Sequence, residues 1–143
     1  MDLSMTPDER LTFLTDAARV GVLSIESPDR GPVSAPVWYT FEADRTITFS
    51  VGDASRKALL LRAANRATLC VQSEEAPYRY VSIEGAVTEL GPSTDASRRE
   101  RAIRYLGPEF GEAYFASTRD EAEATYALRP RRWASIDYNK LFG

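Results

Sequence analysis

Arg56 and Lys57 stand side by side in the stretch Ser50-Val-Gly-Asp-Ala-Ser-Arg-Lys-Ala-Leu-Leu-Leu-Arg-Ala-Ala-Asn65. Ser55 is placed to cap a helix there, which puts both cations in its first turn. A first turn ordinarily attracts acids, because its free amides and the helix macrodipole are positive. Two cations repel that end, by a few tenths of a kcal/mol up to about 1 at an exposed site. An anion relieves the conflict, and helix N-termini are natural phosphate sites. The pattern therefore points to a grip for a phosphate-bearing ligand. Of 18 basic residues only Lys57 and Lys140 are lysines. Coding bias with two survivors explains that count as well as retention of a compact ammonium at position 57 does.

The chain has no histidine, which removes His-assisted serine or cysteine nucleophiles, imidazole metal sites and a proximal-histidine haem site. Cys70 is the only cysteine; no intrachain disulfide can form, and a small inert core residue is expected there. At 143 residues the chain is expected to be one domain, spanning 1–143, with a real core. A net charge of −3 provides no broad basic field for nucleic acid or a membrane surface. No apolar run approaches a membrane span or a signal peptide, so a cytoplasmic protein is expected.

The elements that must position the 50–65 stretch follow from pattern. Thr6-Pro7-Asp8-Glu9 reads as a capping box with proline at the first helical position, and Leu11, Leu14 and Ala18 form the apolar face of a helix ending near Ala18. Strands are expected at 19–26 and 32–42, the second carrying Pro36, Trp38 and Tyr39, with its proline on an edge or at a bulge. The alternating Arg45-Thr-Ile-Thr-Phe-Ser50 is a third strand, followed by a helix at 55–65 and a strand at 67–73. A long strand covers 79–90, with Val81, Ile83 and Val87 on one face and Gly85 marking a bulge or a close backbone approach. Helices are expected at 93–106 and from Pro108 through Phe115, divided by Gly107-Pro108. Arg98, Arg99, Arg101 and Arg104 decorate the first; Glu100 can pair with Arg104, so a solvated face is the leading reading and an anion patch the other. A capped turn or short helix at 118–124, a short strand at 125–128, a corner at Pro130-Arg-Arg and a last strand at 133–137 complete the chain. Contiguous hairpins argue for a mainly β antiparallel barrel with peripheral helices rather than βαβ winding.

The order strand, Ser55-Arg-Lys57 helix, strand, then Tyr80-Val-Ser-Ile-Glu-Gly85, closed by Arg131-Arg-Trp133-Ala-Ser-Ile-Asp-Tyr138, resembles the pyridoxamine 5′-phosphate oxidase-like split β-barrel family. The similarity runs from about residue 21 to 90 and resumes in the closing strand. It implies a homodimer holding FMN or the deazaflavin coenzyme F-420 in grooves between subunits. Pro36, Val37 and Trp38 would lie along the tricyclic ring. Ser50, Val51, Ser55, Arg56 and Lys57 would hold the phosphate, and Tyr78, Arg79, Tyr80 and Trp133 of the partner would close the groove. Ordinary barrel or dimer packing accounts for Trp38 and Trp133 equally well. The longer vitamin-B6 oxidases carry a histidine near their C-terminus that this chain lacks, which argues against that reaction. The arginine-rich composition is shared with small members resembling F-420-dependent reductases.

Such a protein would be an oxidoreductase acting on a small organic substrate, with the cofactor carrying the hydride. No catalytic side chain is identified. Tyr39, Tyr78 or Tyr80 could supply a proton, and so could solvent. A non-catalytic flavin-nucleotide-binding or sensing protein on the same barrel is the alternative.

Overall fold

The computed structural model describes residues 1–143. Its first helix, α1 (Pro7–Thr15), opens on the expected capping box: Thr6 Oγ1 accepts from the Glu9 amide at 3.2 Å and Glu9 Oε1 from the Thr6 amide at 2.8 Å. The Thr6 amide and the Lys140 ammonium hold the Glu9 carboxyl down at about 2. The helix stops at Thr15 rather than near Ala18, because Arg19 folds back to donate to the Phe13 carbonyl and pair with Asp16. Thr6→Ala is expected to remove about 1 kcal/mol, read as a fall of about 3 °C in thermal unfolding.

The strands are β1 (Gly21–Ser27), β2 (Arg30–Val37), β3 (Tyr39–Phe41), β4 (Ile47–Gly52), β5 (Arg66–Gln72), β6 (Arg79–Pro92) and β7 (Glu123–Asp137). They form one antiparallel sheet in the order β2-β1-β5-β6-β7-β4-β3. The two ends of that order, β2 and β3, are consecutive in the chain and separated only by Trp38. The expected single strand at 32–42 is therefore broken. Its first part pairs with β1 and its second with β4, and the sheet closes into a split barrel through this exchange. Tyr105 occupies the break: its hydroxyl accepts from the Tyr39 amide at 3.0 Å and donates to the Arg19 carbonyl at 2.8 Å.

The barrel interior follows the alternation. Leu23, Ile25, Ile47, Phe49, Leu69, Val81, Ile83, Tyr126 and Leu128 point inward and are fully or almost fully buried. Phe13 and Leu14 of α1 close one part of the core, and Ala58 and Leu61 of α2 (Arg56–Ala64) pack against it. The opposite parity faces outward, where Val22, Cys70 and Ser82 lie side by side across β1, β5 and β6. Cys70 is thus half-buried on the outer surface, not a core residue. Burial raises its pKa.

The C-terminal third departs from expectation in one respect. Residues 125–137 are not two strands around a corner but part of the continuous β7. Glu84 pairs with Arg132 and Gly85 with Pro130, so Arg131 is an extra residue forming a β-bulge. A bulge relieves the missing proline donor, which is why Pro130 is tolerated inside a strand. Gly85 lies opposite, at the bulge expected for it. Helices α3 (Asp95–Leu106) and α4 (Pro108–Thr118) bridge β6 to β7 outside the barrel. They approach closely at Gly111, where a Cβ would stand 2.6 Å from the Ile103 Cα.

Candidate functional site

Helix α2 begins as expected. Ser55 has extended backbone and its hydroxyl accepts from the Ala58 amide at 3.2 Å. No acid stands in the first turn. The cap occupies one amide, so those of Arg56 and Lys57 remain without helical acceptors. Lys57 forms no ion pair with a protein carboxylate, in contrast to Lys140, which pairs with Glu9 at 2.9 Å. A compact cation beside open amide donors is a suitable set for a phosphate.

Lys57 opens onto a cavity of about 500 Å³ lined by Pro36, Val37, Trp38, Ser50, Val51 and Gly52. Six of the residues singled out in the sequence therefore share one site: Pro36, Val37, Trp38, Ser50, Val51 and Lys57. The break between β2 and β3 brings the first three there, and the end of β4 brings the next two. Trp38 is stacked on Tyr105, with ring centroids 5.1 Å apart and an interplanar angle of 12°, and tilted against Tyr114 at 5.2 Å. That arrangement gives it protein packing on one side while it still borders the cavity.

The other candidates lie elsewhere in this chain. Ser55 serves as the helix cap. Arg56 turns its guanidinium to the Ser27 hydroxyl at 3.0 Å, outside the cavity lining. Tyr78 is 55% exposed, the Arg79 guanidinium lies over the Phe13 ring at 4.9 Å, and Trp133 lies under Arg10 at 4.6 Å. None of these three lines the cavity. Nor do the tyrosines considered as proton donors. Tyr39 is buried, its hydroxyl donates to the Leu14 carbonyl at 2.8 Å, and burial drives its pKa well up.

Of the remaining wall, only the arginines of α3 are legible in the sequence, as an anion patch second to a solvated face. Val20, Arg98, Arg101, Tyr114, Phe115, Thr118 and Glu123 supply it, most of them from α3 and α4. Of the α3 arginines, Arg99 and Arg104 are exposed as a solvated face requires, but Arg98 and Arg101 turn inward. Arg98 is only 9% exposed at its side chain; it donates to the carbonyls of Thr118, Arg119 and Glu121 and pairs with Glu123 at 3.4 Å. It thereby satisfies carbonyls at the end of α4. Arg101 points down onto the barrel's outer hydroxyls. The sequence does hold a faint signal for this. Arg98, Arg101, Ala102 and Tyr105 share one helical face, and α3 has too few apolar residues to dock without arginine stems.

The family model for pyridoxamine 5′-phosphate oxidase matches residues 6–137. No curated protein sequence matches the chain. Among solved structures, a conserved hypothetical protein of Mycobacterium tuberculosis superposes with a TM-score of 0.75 at 20% identity, covering 100% of this chain and 92% of that one. An F420 reductase gives 0.69 at 20% identity, over 86% of this chain and 94% of that one. A FAD-binding protein of Mesorhizobium loti gives 0.64 at 18% identity, over 92% and 93%. These likenesses establish the same fold. With nearly the whole chain matched by the family model, the protein belongs to the pyridoxamine 5′-phosphate oxidase family.

Proposed function

We propose that the protein is a flavin- or deazaflavin-dependent oxidoreductase that binds FMN or coenzyme F-420 and acts on a small organic substrate. The observation that carries this is the meeting, in one cavity, of Lys57 beside the open amides of α2 and the Pro36-Val37-Trp38 segment. Names borne by structures of the same fold, an F420 reductase and a FAD-binding protein, agree with it. Lys57 and the α2 amides would hold the phosphate. Pro36, Val37 and Trp38 would border the ring, and the apolar wall of Trp38, Tyr114 and Phe115 would exclude water from it. The bound cofactor supplies the hydride chemistry. The chain's own part is grip, orientation and shielding.

A homodimer completes this reading. The outward row Pro36, Val22, Cys70, Ser82 and Ala134 runs across five adjacent strands with small side chains. Val22 within it is 43% exposed and Val20, just before β1, is 46% exposed. A second copy on that surface would bring partner groups toward the cavity entrance at Pro36, with Tyr78, Arg79 and Trp133 as the proposed contributors. The same cavity serves a second reading, a flavin-nucleotide-binding protein without turnover, because holding the cofactor requires no group beyond those that line it.

Titration of the purified protein with FMN and with F-420, followed by fluorescence, tests the proposal. Micromolar or tighter binding of one of them is expected; binding of neither would overturn it. At a hundred times Kd the ligand should stabilise the fold by about 2.7 kcal/mol, a rise of several degrees in thermal unfolding. Reoxidation of the reduced, bound cofactor by an organic acceptor above the free-cofactor rate separates the enzyme from the binding protein.

A further inference from the structure

Arg101 lines the cavity with its guanidinium held by hydroxyls alone. Its Nε and Nη2 donate to Thr40 Oγ1 at 3.3 and 3.2 Å, Nη2 also to Thr48 Oγ1 at 3.2 Å, and Nη1 to Ser50 Oγ at 3.1 Å. All its acceptors are neutral hydroxyls. No carboxylate lies within the 4.0 Å of an ion pair. Burial disfavours its charged form, and the opposing carboxylates act only at longer range. Neighbouring Arg98, by contrast, has Glu123 and three carbonyls.

Hydroxyls surround Arg101 directly, with Glu42, Glu100 and Glu123 acting on it from beyond ion-pair distance. A guanidinium carries five N–H groups, and the four bonds above leave one N–H of Nη1 free. The Thr48 hydroxyl donates to Glu42 Oε1 at 2.7 Å. The Ser50, Ser93 and Thr125 hydroxyls are hydrogen-bonded to one another at 2.7–3.1 Å. Arg101 borders the cavity together with Lys57, and also an adjoining cavity of about 280 Å³ lined by Thr40, Glu42, Ser97, Glu100 and Arg104. Docking α3 on the barrel would need only a neutral donor there, since a half-buried charge without a counter-ion is costly. The one free Nη1 hydrogen, on a guanidinium fixed by three hydroxyls, suits a single carboxylate or phosphate oxygen.

We propose that Arg101 is a second anion-binding position of the cavity, separate from Lys57, and that the natural ligand places a carboxylate or phosphate oxygen against it. This rests on the cavity being the ligand site proposed above, but not on the ligand being a flavin. The oxyanion can belong to the cofactor's phosphoester or to the substrate.

The Lys57→Ala protein is titrated with inorganic phosphate and with benzoate, followed by tryptophan fluorescence, because Trp38 borders the cavity. Retained binding of one probe is expected, and adding Arg101→Gln should weaken it roughly ten- to a hundredfold. Equal affinities with and without Arg101→Gln, or no binding of either probe by the Lys57→Ala protein, overturn the proposal. Arg101→Lys keeps the charge without the hydroxyl-fixed guanidinium and should lose roughly three- to tenfold. If Arg101→Gln does not fold, unchanged affinity in Arg101→Lys overturns the proposal in its place. Two further titrations assign the source. Weakened FMN binding with unchanged riboflavin binding in Arg101→Gln places the cofactor's phosphate at Arg101. Unchanged binding of both, with loss of benzoate from the FMN-loaded protein, places a substrate anion there. A protein that takes neither FMN nor F-420, yet loses its probe anion on Arg101→Gln, refutes the cofactor reading and supports this one. Normal cofactor binding with probe affinity indifferent to Arg101 refutes this one alone.

Discussion

Lys57→Ala is expected to weaken FMN or F-420 binding roughly ten- to a hundredfold, the equivalent of about 1.5–3 kcal/mol for one charge-assisted hydrogen bond. Arg56→Ala should change it by less than about threefold, the scale of an exposed charge acting at a distance. Sequence alone treats these neighbours as a pair; the structure separates them. The Lys57 side chain borders the cavity and forms no ion pair with a protein carboxylate, whereas Arg56 spends a guanidinium nitrogen on Ser27. Added salt should narrow the gap between wild type and Lys57→Ala, because part of the attraction is screened at high ionic strength. The measurement is a fluorescence titration of each variant at low and high salt. Equal losses in both variants would mean that Arg56 swings into the site when a ligand arrives. No loss in Lys57→Ala would remove the phosphate from this helix altogether.

Local chemistry was the legible part of the sequence. The capping box at Thr6 and Glu9, the Ser55 cap and the Gly85 bulge each depend on residues within a few positions of one another or on one backbone constraint. Strand periodicity also carries through, since a half-buried strand must alternate whatever its partners are. What the sequence could not convey depends on partners far along the chain. The break at Trp38 exists because Tyr105, 66 residues beyond Tyr39, satisfies the freed backbone there. The inward turn of Arg98 and Arg101 depends on hydroxyls from β3 and β4 and on the end of α4, of which their shared helical face gives only a faint sign. Cys70 illustrates the limit of composition: its type favours the core, but register with Val22 and Ser82 sets it on the outer face. Half of the candidate site was thus readable as motif, and the α3–α4 wall was not.

Gly85→Ala should be the most damaging single methyl in the barrel. A Cβ built there would lie 1.9 Å from the Arg129 carbonyl oxygen and 2.7 Å from its carbon. Both are backbone atoms of β7, so no side chain can swing aside. The constraint is space, not backbone angle, because Gly85 does not have a positive φ, unlike Gly107 at +85°. Relief requires β7 to move away from β6 at the bulge around Arg131, where Ile83 pairs with Trp133 on one side and Val87 with Leu128 on the other. Ile83, Val87 and Leu128 are buried, so the shift would loosen the interior as well as the ladder. Overpacking a well-filled core costs about 1–3 kcal/mol and more when backbone must shift, so a loss of at least about 3 kcal/mol is expected. In a chain of this size that is a fall of roughly 10 °C in the unfolding midpoint. Gly31→Ala is the control: nothing lies within 4 Å of its added Cβ, and its effect should stay within about 0.5 kcal/mol. The comparison is made by thermal and urea unfolding of both variants. If Gly85→Ala matched Gly31→Ala, the close approach of β6 to β7 would not exist in solution, and the continuous fifteen-residue β7 would have to be redrawn as two strands around a corner at Pro130.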